Sequence, residues 1–521
     1  MKRKDHDALT LVINVSLRSI RAIIFDEKGQ KIFQDWLPVR TSINGSTVEQ
    51  DPNEWWQLFL QLLQKIFFNN SFSKKITYMT FTSSALCLVM LDKQGNVVGK
   101  SIMVSDKRAK KESQFLQKKF PLLFNKNKNW KADPSFMFPK MLWVKKNMPD
   151  VWRKTAFFLS ANDFFIYKCS GLAVTDTLNA EKFYYDSKKQ QYPQQLLSLL
   201  QITHETLPQV VHPGTIVGEA QELFRNDTGI AQPITIIVTT YDAICALLGS
   251  STFQEGELNT VCGTCSSYRM IVKSEEHKHH KSNLLIQHLQ HENLSLIGAS
   301  NNLEGGVLEW AKECFYGDSY LKDDDFLYQL MQSEAQESEL GANGIVFLPY
   351  LLGERMPFED PDVRGNFFGI ERFHSRKDII RSIFEAISFQ SKVMLEEFEE
   401  NGLHISFVNI SGGVSQMPFA MQLRADILGM PVHVLSEVET TGVGAFLLTL
   451  QARSKIPTLK ESKKFIKIKK KYLPNMHNHN CYSQLFLFYK QLYAKNKELF
   501  TIRKEIYQKI GHYRKKVVEN L

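Results

Sequence analysis

The 521-residue chain has no apolar run long enough to cross a bilayer: stretches such as Ile234–Val238 and Ala445–Leu450 fall far short of the roughly 20 residues a spanning helix needs. Cysteine is also scarce. The seven present (Cys87, Cys169, Cys245, Cys262, Cys265, Cys314, Cys481) are odd in number and irregularly spaced, unlike a secreted disulfide framework, so reduced thiols are expected. Cys262-x-x-Cys265 has redox or zinc spacing, but no second pair follows it, which argues against both uses. The start, Met1-Lys-Arg-Lys, leads into a segment holding Asn14 and Arg18 rather than a signal-peptide core, and a cytoplasmic location is expected. What remains is an ordinary globular mixture, 43% hydrophobic, 23% charged and 12% aromatic, which disfavours wholesale disorder and a coiled-coil rod. The length suits two large or three smaller domains.

The net charge of +9 is lopsided. From Lys455 to Leu521 there are 17 Lys and Arg against 4 Asp and Glu, a balance of +13, while the remainder carries −4. Basic runs are usually solvated faces, and aromatics such as Phe465 and Tyr472 read as packing residues, so nucleic acid is not expected as a partner.

Apolar alternation predicts a hairpin from Leu9–Val15 and Ile20–Phe25, and a second from Leu258–Cys262 and Ser267–Val272, which suggests duplicated domains. Tyr78–Phe81 and Cys87–Leu91 read as strands, and Asn53–Phe68 and Pro139–Asn147 as helices. Two strand-to-helix junctions follow. Pro233–Val238 runs through Thr239-Thr240-Tyr241-Asp242 into Ala243–Gly249, and Ile405–Ile410 runs through Ser411-Gly412-Gly413 into Pro418–Leu428 and a strand at Val432–Leu435. Strands alternating with helices mean α/β layers. The expected divisions are 1–252, 253–455 and a basic, largely helical extension at 456–521, helical from Tyr482 onward.

Glycine turns between a strand and a helix let backbone approach a phosphate closely, and Ser411-Gly412-Gly413 has that arrangement, while Gly305-Gly306 ahead of Val307–Trp310 and Gly263-Thr264 raise the same possibility. Each also reads as an ordinary tight connection. Asp242, past an apolar strand and before a helix, suits a carboxylate that accepts a hydroxyl proton, or equally a helix N-cap. His277, His279, His280, His288 and His291 lie among Lys and Glu and read as a solvated loop rather than a metal site.

The stretch Gly365–Glu385, GNFFGIERFHSRKDIIRSIFE, resembles the C-terminal signature of the FGGY carbohydrate kinases. FLPYLLGERMPFEDPDVRG just before it (Phe347–Gly365) is most similar to xylulokinase and gluconokinase members, with further echoes in VEQDPNEWW, SDKR, KMLWVKKN and VTDTLNA. The similarity runs from Leu9 to Leu499. It implies an α/β chain of two actin-like ATPase, ribonuclease H-like domains with an interdomain cleft, sugar held by the first and ATP with Mg²⁺ by the second. Carried over by position, Asp242 matches the catalytic base. Asn14, Arg21, Gly263, Thr264, Gly305, Gly412 and Gly413 match nucleotide-contacting positions, and Ser84, Asp106 and Asp242 fall on the sugar side. No metal ligand is assigned, and a homodimer stays open.

Departures concentrate in the same places. The usual first loop, Asp-x-Gly-Thr-Thr-Ser-x-Arg, is Asn14-Val15-Ser16-Leu17-Arg18-Ser19-Ile20-Arg21 here, without the acid that helps hold Mg²⁺. The xylulokinase-like Gln-Met-His-Gly is Ser84-Ala85-Leu86-Cys87, the usual tryptophan before Asp-x-Arg is Val104, and the glycines before the base are Thr239-Thr240. Two readings follow: an ATP-dependent kinase for a ketose, polyol or sugar acid, or a weakened homologue that binds sugar or nucleotide in a regulatory role.

Overall fold

The computed structural model describes residues 8–69, 72–126, 130, 132–228, 230, 232–274, 284–289, 293–317 and 323–519. His277, His279, His280 and His291 lie outside them. The chain packs as two compact units, one formed by residues 1–249 with 439–465 and the other by 250–438 with 466–521. Residues 439–465 therefore pack with the first unit and 466–521 with the second, whereas the sequence divisions set 456–521 apart.

The first unit is built on a six-stranded sheet of β1 (Leu9–Val15), β2 (Ser19–Phe25), β3 (Lys31–Pro38), β4 (Ile76–Ser83), β5 (Thr215–Glu219) and β6 (Thr235–Val238), in the order β5-β6-β4-β1-β2-β3. β1, β4 and β6 are parallel neighbours, and β2, β3 and β5 run antiparallel to theirs. Every residue of β1, LTLVINV, is buried, as a central strand covered on both faces requires. Helix α1 (Pro52–Asn69) opens with Pro52 in the first turn and an Asn53 N–H to Asp51 Oδ1 bond of 2.9 Å. Its Trp55, Phe59, Leu62, Leu63 and Ile66 are buried at helical spacing. Two further helices, α2 (Met137–Asn147) and α3 (Asp242–Ser250), matter for the site.

The second unit repeats the plan. β7 (Glu257–Cys262), β8 (Ser266–Lys273), β9 (Leu285–Leu289), β10 (Leu294–Ser300), β11 (Phe407–Ser411), β12 (Val432–Leu435) and β13 (Ile468–Tyr472) lie in the order β9-β10-β8-β7-β11-β12-β13. β7, β11 and β12 are parallel, with an antiparallel ladder β7-β8-β10 on one side. Three antiparallel strands followed by two parallel ones thus occur in both units, the duplication that the two sequence hairpins suggested. Helices α4 (Gly305–Tyr316), α5 (Arg376–Glu400), α6 (Pro418–Leu428) and the long α7 (Met476–Glu519) pack here. α7 begins six residues before the expected Tyr482, and the strand expected over Cys87–Leu91 is confined to Val89–Leu91.

One element was not read from sequence. The basic run around Lys469-Lys470-Lys471 is the edge strand β13, paired with β12. Exposed lysines on an edge strand keep its open side from pairing with another chain. Among the described residues, no helix is long and apolar enough to cross a membrane.

The helix Thr440–Ala452 joins the first unit because glycines let its backbone touch α3. A Cβ at Gly444 would lie closer than 3 Å to the Cys245 carbonyl, and one at Gly249 would do the same to the Thr440 carbonyl. Phe446 then stacks on Phe25 at 4.8 Å. Gly444→Ala should therefore cost about 2–3 kcal/mol through overpacking against backbone. Gly413→Ala, whose new methyl would meet nothing within 4 Å, should change stability by about 0.5 kcal/mol or less. Thermal midpoints of the two variants compare them directly.

Candidate functional site

Loops that follow adjacent parallel strands emerge at one end of a sheet, where α/β proteins gather their chemistry. In the first unit these are the turn after β1, the loop after β4 and the junction from β6 to α3. The first is closed on itself: Ser19 N–H donates to Ser16 Oγ at 3.1 Å and Ser16 N–H to Ser19 O at 2.9 Å. Leu17 and Arg18 stand exposed at its tip. The Leu17 carbonyl accepts from Gln50 Nε2 at 2.8 Å, and the Arg18 carbonyl accepts from Val39 N–H at 3.0 Å.

Asn14 and Arg21 face each other across the β1–β2 register. Both converge on Glu439. Asn14 Nδ2 donates to Glu439 Oε1 at 3.4 Å, and the Arg21 guanidinium forms an ion pair with the same carboxylate. Glu439 was missed in the sequence because it lies 425 residues from Asn14. Its only local signal is an acid placed just before a small-residue helix.

Asp242 is half-buried at the first position of α3. Ala243 N–H donates to its Oδ1 at 2.6 Å, and the Ser84 hydroxyl donates to its Oδ2 at 3.1 Å. One oxygen thus does the cap-like work considered from sequence, while the other is oriented by a side chain from the loop after β4. That loop is fastened twice. Ser84 N–H donates to Val15 O at 3.0 Å, and Lys140 Nζ donates to Leu86 O at 2.5 Å, where Leu86 adopts φ +64°. Lys140, on α2, also donates to Met103 O at 2.9 Å and Ile102 O at 3.2 Å. It is completely buried, and burial pushes its ammonium down to about 7.

Ser84 and Asp242 are therefore in contact; Asp106 is placed differently. Its Oδ2 accepts from Val48 N–H at 2.6 Å, its Oδ1 from Arg108 N–H at 2.9 Å, and the Arg108 side chain bonds both oxygens. Arg108 reaches on to Glu49 at 2.8 Å. Asp106 fixes Arg108 and the loop that carries Lys107 and Ser105.

Thr239 and Thr240, where glycines are usual, form part of a hydroxyl bed: Thr239 Oγ1 donates to Phe81 O at 2.6 Å and accepts from Thr80 Oγ1 at 3.0 Å. Below it, Ser83 donates to Asn162 Oδ1 at 3.1 Å, and Asn179 Nδ2 donates to Ser160 Oγ at 2.6 Å. Asp176 accepts the Leu178 and Asn179 N–H groups, and burial pushes its carboxyl up to about 7.

In the second unit the three glycine turns meet. A Cβ at Gly305 would lie closer than 3 Å to the Gly263 carbonyl, and one at Gly412, whose φ is +92°, closer than 3 Å to the Cys262 carbonyl. Gly305 N–H donates to Gly263 O at 3.0 Å and Gly306 N–H to Thr264 O at 3.1 Å, while Gly263 N–H donates to Cys265 O at 3.1 Å. These glycines thus supply close backbone approach rather than spare donors. Gly413 differs, with open space where its Cβ would be. The β10–α4 turn is held from another side: Glu354, almost fully buried, accepts from Asn302 N–H at 3.0 Å and from Gln390 Nε2 at 2.6 Å. Of the Cys262-x-x-Cys265 pair, the first thiol is buried and the second exposed.

The N-terminal domain model of the FGGY family of carbohydrate kinases matches residues 9–249, and its C-terminal domain model matches residues 258–453. The chain belongs to the FGGY family of carbohydrate kinases. It is 25% identical over 493 residues to a xylulose kinase of Staphylococcus xylosus, covering 93% of this chain and 99% of that one. The fold is that of a ligand-bound xylulose kinase from Lactobacillus acidophilus (TM-score 0.83, 22% identity, 94% of this chain and 98% of that one). It also matches a gluconate kinase from the same organism (TM-score 0.83, 22% identity, 94% and 99%). This FGGY kinase is thus a phosphotransferase of the carbohydrate kinase class with the two-domain, actin-like architecture of the family.

Within that frame, Lys140→Met would take from the Leu86 carbonyl its donor, at about 1–3 kcal/mol, and from the Ile102 and Met103 carbonyls the second of two, since these also accept from Leu88 N–H and Asp106 N–H. The thermal midpoint should fall by clearly more than for an exposed lysine such as Lys28→Met.

Proposed function

We propose that the chain transfers the terminal phosphoryl group of ATP to a hydroxyl of a small carbohydrate, a ketose, polyol or sugar acid, with Asp242 as general base. The observation that carries this reading is the orientation of the Asp242 carboxylate. It is half-buried at the ends of the parallel strands and held by one N–H and one hydroxyl. Donors on both oxygens fix the direction of the carboxylate, as a base that must meet one hydroxyl requires. The acceptor hydroxyl gives its proton to Asp242, its oxygen bonds to the γ-phosphorus, and the bond from that phosphorus to the bridging oxygen breaks to release ADP. Ser84 belongs to the carbohydrate side of this reading, and Asp106 belongs to it through Arg108 and the loop that its carboxylate holds. Gly263, Thr264, Gly305, Gly412 and Gly413 belong to the nucleotide side, where Gly413 presents bare backbone to open space. The likeness to xylulose and gluconate kinases supports the acceptor class, and dependence on ATP fits the cytoplasm.

The residues fit a divalent cation carried on the nucleotide better than one held by the protein. No group of three or more His, Cys, Asp or Glu side chains is placed to hold a metal among the described residues. Among the hard oxygens of the first unit are the Asp242 carboxylate and the Asn14 amide oxygen, which is buried without a hydrogen-bond partner. Those two residues would face Mg²⁺, which when bound neutralises charge on the phosphates.

A second reading is favoured by one observation: Asn14 and Arg21 are committed to Glu439, and Leu17 and Arg18 occupy the tip of the loop. On this reading the chain binds sugar or nucleotide without useful turnover. ADP release measured over pentuloses, hexuloses, polyols and sugar acids, with Mg²⁺ and with Mn²⁺, separates the two. Asp242→Asn should cut turnover by roughly 10²–10⁴-fold, and turnover no greater than that of Asp242→Ala for any acceptor removes the kinase reading.

Ser84→Ala should lower kcat about tenfold, the worth of one oriented hydrogen bond. Asn14→Asp should strengthen Mg²⁺-dependent turnover and make the thermal midpoint rise with millimolar Mg²⁺. Unchanged or lower turnover would show the loop rebuilt around Glu439.

A further inference from the structure

Beneath the glycine turns of the second unit lies a charged pair that no step above uses. Glu304, the residue before Gly305, is 0% exposed, and Arg424, on α6, is 1% exposed. Their side chains form an ion pair. Arg424 Nη1 also donates to Cys262 Sγ at 3.0 Å, directly before Gly263. The Tyr268 hydroxyl donates to the second Glu304 oxygen at 2.9 Å and lies 2.9 Å from Ser391 Oγ on α5.

Each partner therefore belongs to a different glycine turn. Cys262 ends the strand that leads into Gly263-Thr264, and Glu304 leads into Gly305-Gly306. Arg424 sits on the helix that follows Gly412-Gly413. Glu304 N–H adds a backbone tie to Thr264 O at 2.8 Å. An isolated charge in such a place is costly, and replacing a buried pair by uncharged groups is often neutral or stabilising. Stability alone is therefore a poor explanation for two charges at this position. A guanidinium fork, by contrast, fixes direction as well as distance.

We propose that Glu304 and Arg424 are the positioning pair of the nucleotide half-site, a buried fork that sets the spacing of the three glycine turns and hence the affinity for adenine nucleotides. The inference rests on the assignment of these turns to ATP. Burial alone would push the Glu304 carboxyl up, but the Arg424 guanidinium holds it below its ordinary value, so the pair stays ionised. Cys262, pushed up to about 12 by burial and then by Glu304, remains a thiol.

The test is calorimetric titration of the full chain with ADP in the presence of Mg²⁺, with the thermal midpoint followed alongside. The double variant Glu304→Gln/Arg424→Met removes both charges and keeps side-chain bulk. It should retain a midpoint close to the parent while ADP affinity falls at least tenfold and the acceptor KM stays within twofold. Arg424→Lys keeps the charge but loses the fork, and should weaken ADP at least threefold at an unchanged midpoint. If the double variant does not fold, Arg424→Lys decides alone. ADP affinity within twofold of the parent in a folded variant overturns the proposal, as does a loss that only follows the midpoint. A parent chain that binds no adenine nucleotide overturns the assignment of the turns and this inference with it.

Discussion

Everything placed at the ends of the parallel strands depends on how closely backbone segments can approach one another there. The second unit meets this demand with glycine: Gly305 and Gly412 stand so close to the Gly263 and Cys262 carbonyls that no side chain fits. The first unit meets it with side-chain donors. Ser84 N–H bonds the end of β1, Thr239 bonds the end of β4, and Lys140 takes hold of Leu86 in its left-handed conformation. A buried lysine that gives its hydrogens to three carbonyls satisfies that of Leu86, which would otherwise cost about 1–3 kcal/mol, and adds a second donor to those of Ile102 and Met103. Two copies of one topology therefore reach the same closeness by different chemistry.

The buried charges follow from that closeness. Lys140 and Arg424 each stand behind a loop named for function rather than in it, and neither is visible at the surface. Asp106 and Arg108 form a comparable unit, in which the carboxylate is so fully bonded that its task is to hold a guanidinium and a loop. Rigid support of this kind lets a hydroxyl such as Ser84 keep Asp242 in one orientation. Catalysis by positioning is lost when supports of this sort loosen by about 1 Å.

Much of this was legible in the sequence. Hairpins, strand-to-helix junctions and glycine turns follow from local alternation and turn chemistry, and they placed Asp242 at the start of a helix and the Gly263-Thr264 and Gly412-Gly413 bends after strands. The family signature at Gly365–Glu385 set the architecture. What local pattern could not supply was partnership across long stretches of chain. Glu439 meets Asn14 at a separation of 425 residues, and Arg424 meets Glu304 at 120. The basic run at Lys469–Lys471, read as a solvated face, hid its strand for a related reason. Its charges say only that it meets solvent, and its pairing with Val432–Leu435 makes it the edge of a sheet.

The substitution at position 14 is best understood through its partner. Two carboxylates 4 Å apart repel by about 4 kcal/mol where the effective dielectric constant is about 20. An aspartate at 14 would face Glu439 at a similar distance, with Arg21 as the compensating cation, and would gain from a metal between them. The amide removes that requirement and donates a hydrogen bond to Glu439 instead. Charge that a metal would have balanced at this loop is thus balanced within the chain. Arg18 stands exposed at the tip of the same loop, and a guanidinium is a side chain that pairs well with phosphate oxygens. The amide at position 14 and the acid at position 439 are on this argument two halves of one contact, in which Arg21 supplies the balancing charge.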